Sequence, residues 1–177
     1  MSNLAEIQPG EIQPRETLAA EIQAVTFGIG EEVFAISVAM VREILDYQEP
    51  FRLPGTPDHV LGLISVRGEG VPTIDLRRRF GLPAQAPTPL TRILFLEVQQ
   101  QGSGPLLLGL VIDRALVVST FARERLEPAP RIGMRWNSDY ITGVVREENG
   151  FVVLIDIARI LTTEDTAILS AKHDLAA

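Results

Sequence analysis

The chain has 177 residues, 46% of them apolar, with 16 Lys+Arg against 23 Asp+Glu for a formal charge of −7, and it has no cysteine. That length suffices to bury a substantial core as one domain or two intimate small ones, and the missing cysteines exclude disulfide frameworks, thiolate zinc sites and cysteine nucleophiles. The acidity sits at the ends: residues 1–22 carry −3, residues 162–177 carry −2, and the body 23–161 keeps only −2. Phosphate binding needs a concentrated basic face, so the pattern argues against nucleic acid as a partner. No stretch approaches the ~18 uninterrupted apolar residues of a membrane span. The N-terminus also lacks the basic and apolar regions of a secretory signal. A cytoplasmic protein with a disordered N-terminal tail over 1–22 is the expectation.

From Val25 onward the chain reads as short strands separated by Gly and Pro. Val25–Ile29 and Val33–Val38 flank Gly30, and Leu61–Val66 follows the turn-rich stretch around Pro54, Gly55 and Pro57. Thr91–Val98 comes after a Pro-rich bridge, Ala84–Pro89. Leu106–Asp113 follows the hairpin-type loop Gln99–Pro105, and Phe151–Ile157 follows Asn149-Gly150. Runs this short and this rich in β-branched residues favour strands over helices, and many of them together imply a barrel or sandwich. Only the C-terminus reads as clearly helical. Thr163 is placed to cap a helix beginning at Glu164, with an acidic first turn and with Ile168 and Leu169 on its apolar side.

An internal repeat organises the body. The stretch Gly62–Leu76 lies over Gly143–Ile157 without a gap, matching Gly62 to Gly143 and Asp75 to Asp156 at an offset of 81 residues. A weaker echo sets Ala35-Ile-Ser-Val over Gly109-Leu-Val-Ile at an offset of 74. Each copy of the main repeat reads strand, tight turn, strand, short helix, which predicts two similar β-subdomains. Asn149-Gly150 is the expected turn of the second copy, because Asn-Gly tolerates positive φ at both turn positions. Gly68-Glu69-Gly70 is the expected turn of the first.

Candidate catalytic groups are sparse. Two aspartates at equivalent places, Asp75 and Asp156, invite an aspartic-protease dyad, in which two close carboxylates share a proton. They are followed by Leu-Arg and Ile-Ala rather than by the Thr/Ser-Gly of that chemistry. The structural reading is that each ends a strand and N-caps the turn after it, Leu76–Phe80 and Ile157–Leu161. His59 and His173 are far apart with no nucleophile or ligand spacing around them. Arg77-Arg78-Arg79 is the only basic run, and on a helix three successive residues fan around the axis, so a solvated face is expected. Glu43 and Arg67 stand out as charges in otherwise apolar strands. They read either as outward-facing positions or as a Glu–Arg pair rimming a groove for a protein partner.

At these residues the sequence resembles the bacterial chemotaxis coupling proteins of the CheW family. The matching run extends from Phe27 to Leu161. It includes Phe27–Ile36, Val41-Arg-Glu-Ile, Leu53-Pro-Gly-Thr-Pro57, Gly62–Gly68, Val71–Arg77, Gly109–Asp113, Leu126–Pro130 and Tyr140-Ile-Thr-Gly143. The resemblance implies an all-β fold of two intertwined five-stranded SH3-like barrels with short helices and a C-terminal helix. The CheW-like domain would occupy 23–161, with the C-terminal helix and tail over 162–177. It also implies an adaptor with no catalytic activity and no cofactor. Such a protein joins the regulatory domain of the histidine kinase CheA to the cytoplasmic hairpin tip of methyl-accepting chemoreceptors, touching the membrane only through them. Carried over by position, Val41, Glu43, Arg67 and Gly68 are receptor-facing, and Gly109, Asp113 and Val118 are kinase-facing. Gly62, Asp75, Gly143 and Asp156 are structural. Ser65 and Glu69-Gly70 depart from the family pattern within the receptor-facing stretch. A paralogue serving another chemosensory or pilus-motility pathway is therefore the alternative, followed by a small-ligand-binding or hydrolytic β-barrel built on Asp75 and Asp156.

Overall fold

Short β-branched runs alternating with residues that accept positive φ fold into hairpins, and the computed structural model describes them over residues 20–129 and 138–176. The expected tail falls mostly outside these residues, as does Pro130. β1 (Glu21–Ile29) opens within the stretch assigned to that tail and turns at Gly30, φ 59°, into β2 (Glu32–Ser37). A 3-10 turn, Val38–Met40, leads to β3 (Val41–Asp46). The first repeat follows as β4 (Val60–Val66), β5 (Glu69–Asp75) and the one-turn helix α1 (Leu76–Arg79). Then come β6 (Arg92–Val98), β7 (Leu106–Ile112), β8 (Arg114–Ala122) and the two-residue β9 (Leu126–Glu127). The second repeat is β10 (Ile141–Glu147), β11 (Gly150–Ile155) and α2 (Ile157–Ile160), and α3 (Thr163–Ala176) closes the chain.

Two sheets result, ordered β8-β1-β2-β11-β10-β9 and β3-β6-β7-β5-β4. The chain starts the first sheet with β1 and β2, builds the whole second sheet, and returns to complete the first. The barrels are intertwined for that reason. The first sheet exceeds the expected five strands only by the short β9.

The 81-residue offset maps β4 onto β10 and α1 onto α2 with identical boundaries. Both hairpins carry a bulge at the same place, between Val60 and Gly62 and between Ile141 and Gly143. Both also close their helix entry alike, Asp75 N donating to His59 O at 2.8 Å and Asp156 N to Tyr140 O at 2.9 Å. The weak echo is equally physical. β5 pairs in parallel with β7 through Thr73↔Gly109, and β11 with β2 through Leu154↔Ala35, so Gly109 and Ala35 hold equivalent places. Gly62 and Gly143 are glycines because a Cβ would strike the Phe51 carbonyl in one copy and the Leu126 side chain in the other. At both places a short segment crosses the outer edge of the hairpin.

Both turns differ from expectation. In the first copy the connecting residues are Arg67-Gly68, with φ 51° and 84°, while Glu69 and Gly70 already belong to β5. In the second they are Glu148-Asn149, and Gly150, φ 141°, starts the next strand. The two-residue loop keeps the repeat register, so Gly150 aligns with Glu69, and the Asn-Gly signal lies one residue late.

One cluster lies between the sheets, joining Phe27 and Phe34 of the first to Leu94, Leu96, Leu108 and Leu110 of the second, all at most 1% exposed. Each sheet also curls around its own smaller cluster. Ala35, Phe121 and Val145 fill one, and Ile64, Val71, Ile93 and Phe95 fill the other. Fully burying each such side chain is worth about 1.5–3 kcal/mol. α3 packs on β5 and β7 with Leu169 fully buried. Its N-cap is Thr162 rather than Thr163, whose side chain is outside the described residues. Thr162 Oγ1 accepts from Asp165 N at 3.0 Å, and Asp165 Oδ2 accepts from Thr162 N at 3.0 Å, a reciprocal capping box.

Candidate functional site

β3 and β4 are the two edges of the second sheet and share no ladder hydrogen bonds. Their seam is closed by side chains. Leu45 and Tyr47 pack on the cluster of Ile64 and Val66, Gln48 Nε2 donates to Ser65 O at 3.3 Å, and Arg67 Nη2 bonds Glu43 Oε2 at 2.7 Å. Glu43 and Arg67 thus form an ion pair across the seam. Arg67 is 77% exposed, so the pair is worth less than about 1 kcal/mol to the fold. The bulge at Arg42 sets Val41 and Glu43 in register with Leu96 and Phe95. Val41 is half-buried against the main core. Gly68 has open space around it and is glycine for its backbone conformation, not for close approach.

β8 is one edge of the first sheet, opposite β9, and it exposes three consecutive apolar residues: Leu116 at 43%, Val117 at 64% and Val118 at 62%. A bulge in β8, where Leu116 and Val117 face the single residue Thr26 of β1, makes this possible. Between Val25 and Phe27 the register shifts, and Thr26 Oγ1 donates to Val117 O at 2.7 Å and accepts from Val117 N at 3.1 Å. Sequence reasoning named Val118 but not its neighbours. The available signal is the apolar run Ala115–Val118, whose start no Gly or Pro marks.

The other kinase-facing candidates sit deeper. Gly109 is buried in the middle of the second sheet, and a Cβ there would lie 3.0 Å from Ile93 and 3.1 Å from the Thr73 hydroxyl. It can reach a partner only through its neighbours. Asp113 Oδ2 accepts from Gly30 N at 2.6 Å and from Arg77 Nη1 at 2.6 Å, pinning the β1–β2 turn to α1. Its carboxylate is committed inside the fold.

Asp75 and Asp156 cap separate helices at the ends of separate sheets. Asp75 accepts from Arg77 N at 2.9 Å and Arg78 N at 3.4 Å, and Asp156 from Ala158 N at 2.9 Å. Burial pushes the Asp75 carboxyl up, against the opposing pull of the Arg78 amide and guanidinium. The carboxylate it feels is Asp113, not Asp156. Nothing in this geometry assembles a shared-proton dyad.

The three arginines fan around α1, but onto the protein rather than into solvent. Arg77 binds Asp113, Arg78 lies 3.3 Å from Asp75, and Arg79 donates twice to Ile160 O at 2.6 and 3.0 Å. His59, without sequence support, holds Asp165 Oδ1 at 2.6 Å, while the Asp165 side chain is 2% exposed. That contact joins residues 106 apart, which no local pattern reveals. Among the described residues no group of three or more His, Asp or Glu is placed to hold a metal, and no helix is long and apolar enough to cross a membrane.

Residues 23–165 match the family model of the CheW-like domain. The chemotaxis protein CheW of Bacillus subtilis is 32% identical over 154 residues, covering 84% of this chain and 95% of that protein. Its counterpart from Klebsiella aerogenes is 29% identical over 154 residues, covering 87% and 89%. Among solved structures, the scaffolding protein TtCheW from Thermoanaerobacter tengcongensis superposes with a TM-score of 0.71 at 23% identity, covering 81% of this chain and 90% of that one. It shares the fold.

Proposed function

The chain belongs to the CheW-like family, and from that premise we propose that it is a non-catalytic cytoplasmic adaptor coupling chemoreceptors to a CheA-type histidine kinase. The observation that carries the reading is the pair of unlike sheet edges. One is a polar seam with Glu43 and Arg67 held 2.7 Å apart. The other is an apolar strand with Leu116–Val118 exposed. A receptor hairpin tip is an apolar and charged helix pair, and the seam suits it, since a fixed ion pair selects register. Val41 supplies apolar contact beside the pair, and Gly68 holds the turn that presents Arg67. The β8 edge suits a second barrel, with Val118 at its centre. Gly109 and Asp113 support that side from within, by packing and by pinning the turn.

Pull-downs with the kinase regulatory domain and a receptor hairpin test the reading. Arg67→Glu sets two carboxylates against each other at the seam and should lose receptor while keeping kinase; normal receptor capture would sink the receptor assignment. If the wild-type chain captures neither partner, the adaptor reading itself fails. Ser65 is exposed and Glu69-Gly70 begins β5 beside Arg67. These departures fall in the stretch proposed to face the receptor, which supports a paralogue dedicated to a second chemosensory or pilus-motility pathway as the second reading. Binding to the hairpin of one receptor class and not another would distinguish them.

A further inference from the structure

A cleft of about 620 Å³ opens beside β5 and α1, with the Pro-rich bridge Ala84–Thr88 as one wall and without Glu43, Arg67 or Leu116–Val118 in its lining. Its volume is that of a small-molecule site. Four arginines and three acids line it. Arg77–Asp113 and Arg78–Asp75 cancel as internal pairs. Among the described residues, Arg114 donates to Gly30 O and has no acid partner, Arg52 has no hydrogen-bond or ion-pair partner, and Glu49 is the one lining acid outside a pair. The cleft therefore keeps one surplus positive charge. Tyr47 adds a phenol whose hydroxyl makes no hydrogen bond among the described residues, and Leu61 and Val111 add apolar wall. Tyr47 stays protonated, since burial, then Glu49 and Asp75, raise its pKa. Arg52 and Arg78 act on it in the opposite sense, and all of these groups line the same cleft.

We propose that this cleft binds a small monocarboxylate with an apolar body, its carboxylate taken by the Arg52 guanidinium and the Tyr47 hydroxyl and its body laid on Leu61 and Val111. The exposed Arg52 guanidinium and the half-buried Tyr47 phenol have no protein acceptor among the described residues, and a carboxylate would supply one in place of water. A surplus of one charge matches a monoanion, whereas a polyphosphate would leave uncompensated charge beside Asp75, Asp113 and Glu49. The apolar wall excludes a bare inorganic anion as the best fit.

The test uses the full chain, with amide NMR shifts followed during titration with phenylacetate. Benzyl alcohol and inorganic phosphate serve as the neutral and the non-apolar controls. Phenylacetate should give saturable shifts at Leu61, Thr91 and Val111. Benzyl alcohol and phosphate should bind at least about tenfold more weakly, as expected when a charge-assisted bond or the apolar contact is missing. Arg52→Gln and Tyr47→Phe should each weaken phenylacetate about three- to tenfold with the spectrum otherwise intact, and Glu49→Gln should tighten it, because it removes the nearest unpaired like charge. Absence of saturable shifts at these amides, equal binding of benzyl alcohol, or indifference to both Arg52→Gln and Tyr47→Phe would overturn the proposal. The phenylacetate titration and Arg52→Gln bear on neither receptor nor kinase capture, since Arg52 lies in neither proposed docking face.

Discussion

Asp165→Ala should be among the most damaging single substitutions in the protein, though the residue touches neither proposed partner. The Asp165 carboxylate is 2% exposed, receives Thr162 N at 3.0 Å and holds His59 Nε2 at 2.6 Å. Arg79, 3.9 Å away, is too distant to bond and adds only attraction. Removing the carboxylate loses the return half of the capping box, about 1 kcal/mol, and a charge-assisted bond to a part-buried His59, about 1.5–3 kcal/mol. A buried interaction broken from one side costs about 3–5 kcal/mol, so the two routes agree near 3–4 kcal/mol. In a domain of this size that lowers Tm by about 6–16 °C. Asp165→Asn keeps an acceptor for the cap and should cost less than half as much. Differential scanning calorimetry at neutral pH measures both. If Asp165→Ala melts within about 2 °C of the wild-type chain, α3 is not held through this carboxylate. The pH dependence has a definite sign. Burial raises the Asp165 pKa, but the Thr162 amide, His59 and the Thr162 side chain together pull it below the ordinary 3.8. The stabilisation is therefore full above pH 3.8 and is lost as pH falls through the lowered folded value. The gap between wild type and Asp165→Asn should close only in that acid range.

Val118→Asp should leave Tm nearly unchanged, since Val118 is 62% exposed, yet weaken kinase-domain binding by at least about tenfold, because an apolar contact becomes a carboxylate to be desolvated; titration calorimetry decides, and unchanged affinity removes β8 from the interface. Asp113→Ala should cost about 2–4 kcal/mol by orphaning Gly30 N and the Arg77 guanidinium. Kinase binding lost at full stability in urea melts would instead make Asp113 a direct contact. Gly109→Ala should destabilise by about 1–3 kcal/mol, since its Cβ meets Ile93 at 3.0 Å and Thr73 at 3.1 Å; a neutral result in the same melts would mean that β6 and β5 yield freely. Asp75→Ala should lose about 1 kcal/mol of cap energy, whereas Asp75→Asn should stay within about 1 kcal/mol of wild type at neutral pH, because it still caps α1 and removes a charge that burial disfavours.

The strands, the duplication and the family were legible in the chain because they rest on local signals. The repeat at Gly62–Leu76 and Gly143–Ile157 carries its own register, its bulge glycines and its capping aspartates, so its two copies fold with the same boundaries. Hairpin turns were legible only to within a residue, because Arg67 can occupy a positive φ that composition assigns to glycine or asparagine. The weak echo at Ala35 and Gly109 gained its meaning only when parallel pairing placed both residues beside the repeat hairpins.

Contacts between distant segments were decided by the tertiary structure. The Glu43–Arg67 bond forms because the sheet curls until its two unpaired edges meet. The same closure turns Arg77, Arg78 and Arg79 inward to Asp113, Asp75 and Ile160, and brings His59 to Asp165 across the return of α3. Composition and the spacing of Gly and Pro determined a near-neutral, cysteine-free body of short strands with its acidity at the ends. Which charges face a partner and which are spent inside depended on how the two sheets exchange strands, because a side chain's neighbours across a sheet are set by register and closure, not by its place in the chain.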